Sequence, residues 1–450
     1  MGADPPPSAK YVAEFIGTYM LVLTVGCNVL AGSPVWAAAS IAATLMVAIY
    51  ALGPVSGGHF NPAVSFAVGV AGKMPWSEVG TYSIVQVLAG ILAGLSYSLM
   101  MMESIPLNPG KGVHWWQAGL AEFFYTFMLA FVVLNVAVSR KHAGDQFFGL
   151  AIGFVVVAGG YATGHISGGC LNPAVAFGID VTSLHLGNFG WSILYIIFEL
   201  AGAALAAVLW KVVRPDDDPA QRPLSARLLS EFLGTFMLVL TVGLNVLGKS
   251  PAAAFSIAAS LMCMIYALGS VSGAHFNPAV TLAIFMAGKH KDGANPAVDA
   301  LMYVGMQLLG GITAAFTYAA LMSDSFPLAP VGKSGWYEAW LVEIAFTFLL
   351  AFVVLSVACV EQPLPQFFGL AIGSCVTAGG FAAGGISGGS LNPAVSAGIA
   401  VSSTLLGKSS ILHLAAYTCA ELTGGALAVG AFHATRPHEM QTGETLPLKK

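Results

Sequence analysis

The stretch SGGHFNPAV, residues 56–64, recurs three times in this chain, as SGGCLNPAV (167–175), SGAHFNPAV (272–280) and SGGSLNPAV (387–395). In each copy the asparagine is a favoured N-cap, and the proline is favoured at the first helical position. The pattern predicts a short helix whose first turn bonds to the asparagine oxygen, which leaves the NH2 group free to face a pore. The central residues of the four motifs are Asn61, Pro62, Ala63, Asn172, Pro173, Ala174, Asn277, Pro278, Ala279, Asn392, Pro393 and Ala394.

The apolar pieces that follow these motifs are too short to cross a bilayer. They are predicted to be re-entrant half-helices, which membranes tolerate where they line a cavity or pack within protein. Two half-helix N-termini that meet at the midplane concentrate positive potential, which admits a neutral hydrogen-bonding molecule and opposes cations and protons. A fifth Asn-Pro-Ala, at 295–297, lacks the Ser-Gly prefix and is interpreted as the cap of the next helix.

The composition places most of the chain in a membrane. Of its 450 residues 57% are hydrophobic and 8% are charged, whereas soluble proteins carry about 25% charged residues. Twelve apolar stretches are long enough to cross about 30 Å of hydrocarbon. They lie near 11–31, 37–55, 80–102, 117–138, 146–163, 190–213, 227–247, 252–270, 297–322, 338–360, 366–383 and 411–433.

Several other classes of site are not expected. The six cysteines are scattered and show no CxxC pair or metal-ligand spacing, so we predict no structural disulfide, metal or cofactor. No basic cluster suggests nucleic acid. The first apolar stretch has no basic region or cleavage site before it and is interpreted as a retained helix, not a signal peptide.

The distribution of Lys and Arg predicts the orientation in the membrane. If the N-terminus is cytoplasmic, all but four of the 17 basic residues lie on the cytoplasmic side, the exceptions being Lys111, Lys249, Lys333 and Lys408. Both termini and the linker between the repeats are therefore predicted to be cytoplasmic.

The sequence repeats itself at two periods. AEFIGTYMLVLTVGCNVL (13–30) returns as SEFLGTFMLVLTVGLNVL (230–247), which divides the chain into halves 1–215 and 224–450 with a polar linker at 216–223. Within each half, a Glu-x-x-x-Thr pattern and the half-helix motif recur after about 110 residues. Each quarter has three spans, an odd number, so successive quarters must enter the membrane in opposite directions. Such an inverted repeat places a site near the midplane.

These motifs resemble those of the aquaporin (major intrinsic protein) family, over each half in full. The resemblance rests on the paired Asn-Pro-Ala half-helices, the helix glutamates and two third-helix glutamines. It implies an all-α polytopic membrane protein with two aquaporin-like units, each of six transmembrane helices and two half-helices, and four units around an axis. The helix residues are Glu14, Glu122, Glu231, Glu343, Gln86 and Gln307.

The resemblance also assigns roles to individual residues. It implies that Asn61 and Asn172 line one pore, while Asn277 and Asn392 line the other. His59 and His275 match the family histidine of the cytoplasmic vestibule, and a purely local hydrogen-bonding role is the alternative for both. Two tandem chains would supply four units, so we expect a dimer that forms a pseudo-tetramer in the lipid bilayer.

The outer constriction departs from the family pattern. An arginine usually follows the second Asn-Pro-Ala of a unit, and this chain has valine there. The resulting selectivity filters are predicted to be wide and apolar, unless Tyr161 and Phe381 refill them. The positions that map to the filters are Ile41, Gly160, Gly169 and Val175 in the first half, and Ile257, Gly380, Gly389 and Val395 in the second.

Glu199 and Glu421 are a second departure, since the family often has proline at their positions. A carboxylate inside a membrane is costly and is a functional candidate by default. We favour the simpler interpretation, a buried hydrogen-bonded packing partner at the pseudo-equivalent positions of Gln86 and Gln307.

The function predicted from these features is passive passage of water or small uncharged solutes such as glycerol or urea, with one pore per half. A non-conducting structural protein of the same fold and a slow solute transporter are the alternatives. An enzyme is not expected, because no nucleophile, paired acid and base, or cofactor motif is present.

Overall fold

The computed structural model describes residues 6–187, 189–215, 223–290 and 295–440. Within these ranges the regular structure is helical and no strand occurs. The helices are α1 (Ala9–Leu30), α2 (Ala37–Ser56), α3 (Pro62–Val70), α4 (Trp76–Met101), α5 (Trp115–Val133, continued by a π-helical turn Leu134–Val138), α6 (Phe148–Thr163), α7 (Pro173–Thr182), α8 (Trp191–Val213), α9 (Leu224–Leu247), α10 (Ala253–Ser272), α11 (Pro278–Met286), α12 (Pro296–Met322), α13 (Trp336–Ala358), α14 (Phe368–Ala383), α15 (Pro393–Leu405) and α16 (His413–Thr435).

Helices lie at all twelve predicted spans. Nine of the described helices are long and apolar enough to cross a membrane. The other three are α6 and α14, with 16 residues each, and α16, which is rich in Gly, Ala and Thr. The predicted all-α polytopic membrane fold is confirmed.

The four predicted half-helices are α3, α7, α11 and α15. Each begins at the motif proline, because proline supplies a helical φ and its missing N–H costs no hydrogen bond at this position. Each is capped by the motif asparagine, whose side chain accepts from the N–H two residues later at 2.8–2.9 Å. The fifth Asn-Pro-Ala behaves as predicted, since Asn295 caps the long helix α12.

Small residues bring the helices into close contact. A Cβ atom added at Gly202 of α8 would lie 2.3 Å from the carbonyl oxygen of Phe123 in α5. The same relation recurs between Gly424 of α16 and Ile344 of α13, at 2.5 Å. Close backbone approach at glycine is a usual source of helix association in membranes.

The chain forms two compact units that do not coincide with the sequence repeats. Unit 1 contains Met1–Ala226 and Leu244–Val271, and unit 2 contains Arg227–Gly243 and Ser272–Lys450. The division into 1–215 and 224–450 stays a prediction. Of the predicted linker, residues 216–222 lie outside the described part of the chain.

Unit 1 includes residues of the second half because α10 packs on α6. The Cys263 thiol donates to the carbonyl oxygen of Ala151 at 3.1 Å, and the Ser256 hydroxyl donates to that of Ala158 at 2.8 Å. Both donors are fully buried. A repeat in the sequence and a compact unit in space are therefore different divisions of this chain.

Candidate functional site

In unit 1 the half-helices α3 and α7 meet at their asparagines. The Asn61 side-chain nitrogen donates to the carbonyl oxygen of Leu171 at 2.8 Å. The Asn172 nitrogen donates to the carbonyl oxygen of Phe60 at 2.9 Å. In each asparagine, one of the two side-chain N–H groups thus donates to the opposite loop. The expectation that the whole NH2 group stays free was wrong, because only one N–H per asparagine remains available.

Unit 2 repeats this arrangement. Asn277 donates to the carbonyl oxygen of Leu391 at 2.9 Å, and Asn392 donates to that of Phe276 at 2.8 Å. All four motif asparagines are 3% exposed. Their positions are therefore set by bonds at both ends of the amide, one to their own helix and one to the facing loop.

Helix glutamates hold the loops that lead into the half-helices. Glu14 accepts from the backbone N–H groups of His59 at 3.0 Å and Phe60 at 2.7 Å. Glu122 accepts from those of Cys170 at 3.0 Å and Leu171 at 2.6 Å. Unit 2 has the same bonds to its two helix glutamates. These carboxyl groups satisfy backbone donors that would otherwise be buried without partners.

A cavity of about 460 Å³ runs past the asparagine pair of unit 1. One water occupies about 30 Å³ of liquid, so the space holds several molecules at once. Its lining is mostly apolar with a few polar groups, as is usual for small-molecule sites. Among the lining residues are His59, Asn61, Asn172, Ile41, Gly160, Gly169, Cys170, Val175, Asn108, His165, Gly248, Ser250 and Pro251.

All four predicted filter positions of the first half line this cavity. Val175 is 3% exposed. Gly169 has a φ of +67°, a conformation that favours glycine. Gly160 also serves helix packing, because a Cβ atom there would lie 2.9 Å from the Cβ of Ala38. The structure brings these residues together, while their role as a filter stays a prediction.

In unit 2 the predicted filter residues are placed only in part. A Cβ atom at Gly389 would lie 3.5 Å from the Cα of Gly380, so these two glycines are neighbours. Val395 is buried at the start of α15. Ile257 lies on α10 within unit 1, and its part in a second filter stays a prediction.

The side chains considered as possible fillers of the filters have defined positions. Tyr161 lines the cavity of unit 1, and its hydroxyl donates to the carbonyl oxygen of Val35. This bond holds the ring against the loop before α2. Phe381 is 60% exposed on the chain surface. The predicted filter of the first half is thus bordered by a tyrosine whose hydroxyl is held by a hydrogen bond.

Both vestibule histidines make the local hydrogen bond that was the alternative to a pore role. The Nδ1 atom of His59 lies 3.0 Å from the Ser65 hydroxyl, and that of His275 lies 3.1 Å from the Thr281 hydroxyl. His59 also lines the cavity of unit 1. The two roles are therefore compatible at this position.

Some residues at the site were not singled out from the sequence. The loop after α9 contributes Gly248, Ser250 and Pro251 to the cavity of unit 1, although it belongs to the second half. In unit 2 the His290 ring lies 5.8 Å from that of His275. No local motif marks these positions, because chain packing alone brings them to the pore residues.

Glu199 and Glu421 bond the backbone of the motif asparagines at the starts of α7 and α15. The backbone N–H of Asn172 donates to Glu199 at 2.8 Å, and that of Asn392 donates to Glu421 at 3.0 Å. Both glutamates are 0% exposed. The geometry agrees with the favoured interpretation of a buried hydrogen-bonding partner.

We expect a mercurial to reduce water flux only partially, through Cys170. This cysteine is free and lines the cavity of unit 1, whereas Ser390 occupies its place in the second half. A thiol adduct would therefore narrow one pore and leave the other open. The measurement is osmotic water flux of proteoliposomes before and after the reagent.

Two variants control this experiment. Cys170→Ser should abolish the inhibition, and Ser390→Cys should extend it to the second pore. Complete block that persists in Cys170→Ser would contradict the assignment.

Comparison with known proteins identifies the family. The pattern of the major intrinsic protein family matches residues 5–210, 111–243 and 219–428. The probable aquaporin NIP-type of Nicotiana alata is 35% identical over 224 residues, covering 47% of this chain and 79% of that protein. Aquaporin AqpM of Methanothermobacter marburgensis is 32% identical over 238 residues, covering 45% of this chain and 96% of that protein.

A solved structure shows a similar extent of overlap. The aquaglyceroporin from Plasmodium falciparum aligns with 47% of this chain and 98% of its own, with 18% identity and a TM-score of 0.43. The two aquaporins from Nicotiana alata and Methanothermobacter marburgensis each match about half of the chain, and the first and third family matches lie one after the other along the chain. The chain therefore belongs to the major intrinsic protein family and carries two family units in tandem.

Proposed function

We propose that each half forms a passive channel for water and small uncharged solutes. The observation that carries the proposal is the cavity of unit 1, which passes both pore asparagines and reaches His59. The names of the relatives, which include aquaporins from plants and an archaeon, support the same class. An integral membrane channel is thus favoured over an enzyme.

The half-helices provide the selectivity at the centre of the pore. Each asparagine keeps one N–H that can donate to a passing oxygen, because the other is bonded across the pore loops. The starts of α3 and α7 face each other, so their dipoles place positive potential at this point. A neutral solute that accepts hydrogen bonds can pass, while a cation meets an electrostatic barrier.

The filter positions favour solutes larger than water. Ile41, Gly160, Gly169 and Val175 provide neither a positive charge nor a side-chain hydrogen-bond donor at the outer barrier. The space left by two glycines suits glycerol, urea or similar molecules. The pores would therefore combine a polar centre with an apolar outer constriction.

Osmotic shrinkage of proteoliposomes tests this proposal against its alternatives. A channel gives fast flux with low temperature dependence, for water and for a panel of glycerol, urea, ammonia and peroxide. A slow solute transporter gives slow, saturable flux, and a structural protein of the same fold gives none. Either of these two results would overturn the proposal.

The topology is proposed to have both termini and the linker in the cytoplasm. The support is the distribution of Lys and Arg, since short cytoplasmic loops carry an excess of these residues. Protease digestion of sealed right-side-out vesicles should spare tags placed at either end of the chain. Removal of such a tag without detergent would contradict this orientation.

We expect the purified protein to be a dimer of tandem chains. Two chains supply four channel units, the number that the family resemblance implies, and both halves are predicted to enter and leave the membrane on the same side. Native mass measurement in detergent should give two chains per particle. A mass that corresponds to four chains per particle would contradict this prediction.

A further inference from the structure

Buried carboxyl groups form a pair next to the start of α7 in unit 1 and next to the start of α15 in unit 2. Glu122 and Glu199 are both fully buried, and their carboxyl groups lie within hydrogen-bonding reach of each other. In unit 2, Glu343 and Glu421 are both buried and interact electrostatically. Two ionised carboxylates at such a site would repel each other, and burial would deprive both of hydration. The hydrogen bonds around each pair indicate whether one of its two carboxyl groups is protonated.

The donors around the first pair leave one oxygen unsatisfied. Both oxygens of Glu122 accept from backbone N–H groups, those of Cys170 and Leu171. One oxygen of Glu199 accepts from Asn172 at 2.8 Å. Its other oxygen, Oε2, is buried and has no hydrogen-bond donor among the described residues. An ionised carboxylate can only accept, so Oε2 would be an orphaned acceptor, whereas a proton there makes it a donor toward Glu122.

The loop before α3, the other half-helix of unit 1, has such a donor next to its glutamate. Glu14 bonds the loop before α3 as Glu122 bonds the loop before α7. There the donor to the glutamate is an amide, since Gln86 donates its side-chain N–H to Glu14 at 2.8 Å. The same bond is present in unit 2. Glu199 is the pseudo-equivalent of Gln86, so a protonated carboxyl would supply the missing donor with a similar shape.

In the described part of the chain, no positively charged group is among those that interact electrostatically with the Glu122–Glu199 pair. Cys170 and Tyr195 interact electrostatically with it, and both are acids. The Tyr195 hydroxyl is also engaged elsewhere, because it donates to the carbonyl oxygen of Ser167 at 2.9 Å. Neither of these groups can stabilise a second negative charge at this site by carrying a positive one.

The second pair has one additional donor and the same unsatisfied oxygen. The Ser396 hydroxyl donates to Oε1 of Glu421 at 2.8 Å, where the first half has Ala176. Oε2 of Glu421 is nevertheless buried without a hydrogen-bond donor among the described residues. The extra hydroxyl therefore does not remove the need for a proton between the two carboxyl groups.

We propose that each carboxyl pair holds one proton, on Glu199 in unit 1 and on Glu421 in unit 2. The protonated acid donates to the helix glutamate and accepts from the pore asparagine backbone, so it links the two and positions the start of the half-helix. Glu199 and Glu421 are thus positioning residues. This positioning role rests on the proposed channel function, whereas the presence of the proton does not.

Infrared difference spectroscopy of the full chain in lipid vesicles tests for the proton directly. The spectrum of the unmodified protein minus that of Glu199→Gln should contain the carbonyl stretching band of a carboxylic acid, which shifts in heavy water. Glu199→Gln with Glu421→Gln together should lose a second such contribution. A difference spectrum that shows loss of carboxylate bands instead would mean that Glu199 is ionised and would overturn the proposal.

A matched variant makes the test independent of whether these substitutions fold. Gln86→Glu builds a third carboxyl pair next to the loop before α3, with Glu14 as its partner, and should add an acid band. A folded Gln86→Glu protein without a new acid band would count against the proposal as strongly as the first result.

Flux measurements separate the two proposals. Glu199→Gln should retain flux that Glu199→Leu loses, because glutamine supplies an N–H for Glu122 and an oxygen for the Asn172 backbone. Equal loss of flux in both variants would overturn the positioning role. An acid band in a protein that conducts nothing would leave the proton in place and contradict the channel function alone.

Discussion

Replacing Val175 and Val395 together by arginine should lower glycerol flux by about tenfold, which corresponds to roughly 1.4 kcal/mol of added barrier, and lower water flux much less. An arginine at this point supplies fixed donors and a positive charge in a space that now has an apolar wall. Val175 lines the cavity beside Gly160 and Gly169, so the longer side chain has room to enter the path. When the path narrows, the flux of a bulky solute falls more than the flux of water.

The comparison requires both solutes to be measured on the same proteoliposomes. Val175→Arg and Val395→Arg should each lower glycerol flux through one pore, and the double variant should lower it through both. Val175→Leu is a control that adds volume without donors or charge. If the unmodified protein passes water but no larger solute, or if glycerol and water flux fall equally, a wide filter is the wrong description.

Gly90→Val should disable the first pore and destabilise its unit by about 1–3 kcal/mol, the usual cost of overpacking a close contact. A Cβ atom at Gly90 of α4 would lie 2.3 Å from the carbonyl oxygen of Ala174, in the first turn of α7. A backbone carbonyl cannot rotate away from the added Cβ atom as a flexible side chain can. The half-helix α7 must therefore shift. The asparagine at its start would then lose its bond to the facing loop.

The second half offers the matched experiment. A Cβ atom at Gly311 would lie 2.4 Å from the carbonyl oxygen of Ala394, so Gly311→Val should disable the second pore. Gly80→Val and Gly305→Val are controls, because a Cβ atom at either position meets nothing within 4 Å. Thermal unfolding and water flux are the measurements. Unchanged flux in the Gly90→Val, Gly311→Val double variant would show that the half-helices do not form the path.

Features that depend on residues close together in the chain could be predicted from the sequence. The half-helices begin at the motif prolines because capping joins an asparagine to the N–H two residues later, a contact that any copy of the motif can make. The spans follow from apolar length, and the two family units follow from the long repeat. The same reasoning identified Asn295 as the cap of a full helix.

The partners of the remaining hydrogen bonds could not be predicted, because they lie far apart in the chain. One N–H of Asn61 bonds the carbonyl of Leu171, 110 residues away, and this bond leaves a single donor for the pore. The loop after α9 joins the cavity of unit 1, and α10 packs on α6, although both belong to the second repeat. A repeat records which residues are alike, whereas a compact unit depends on which surfaces bury each other, and residues distant in the chain supply those surfaces.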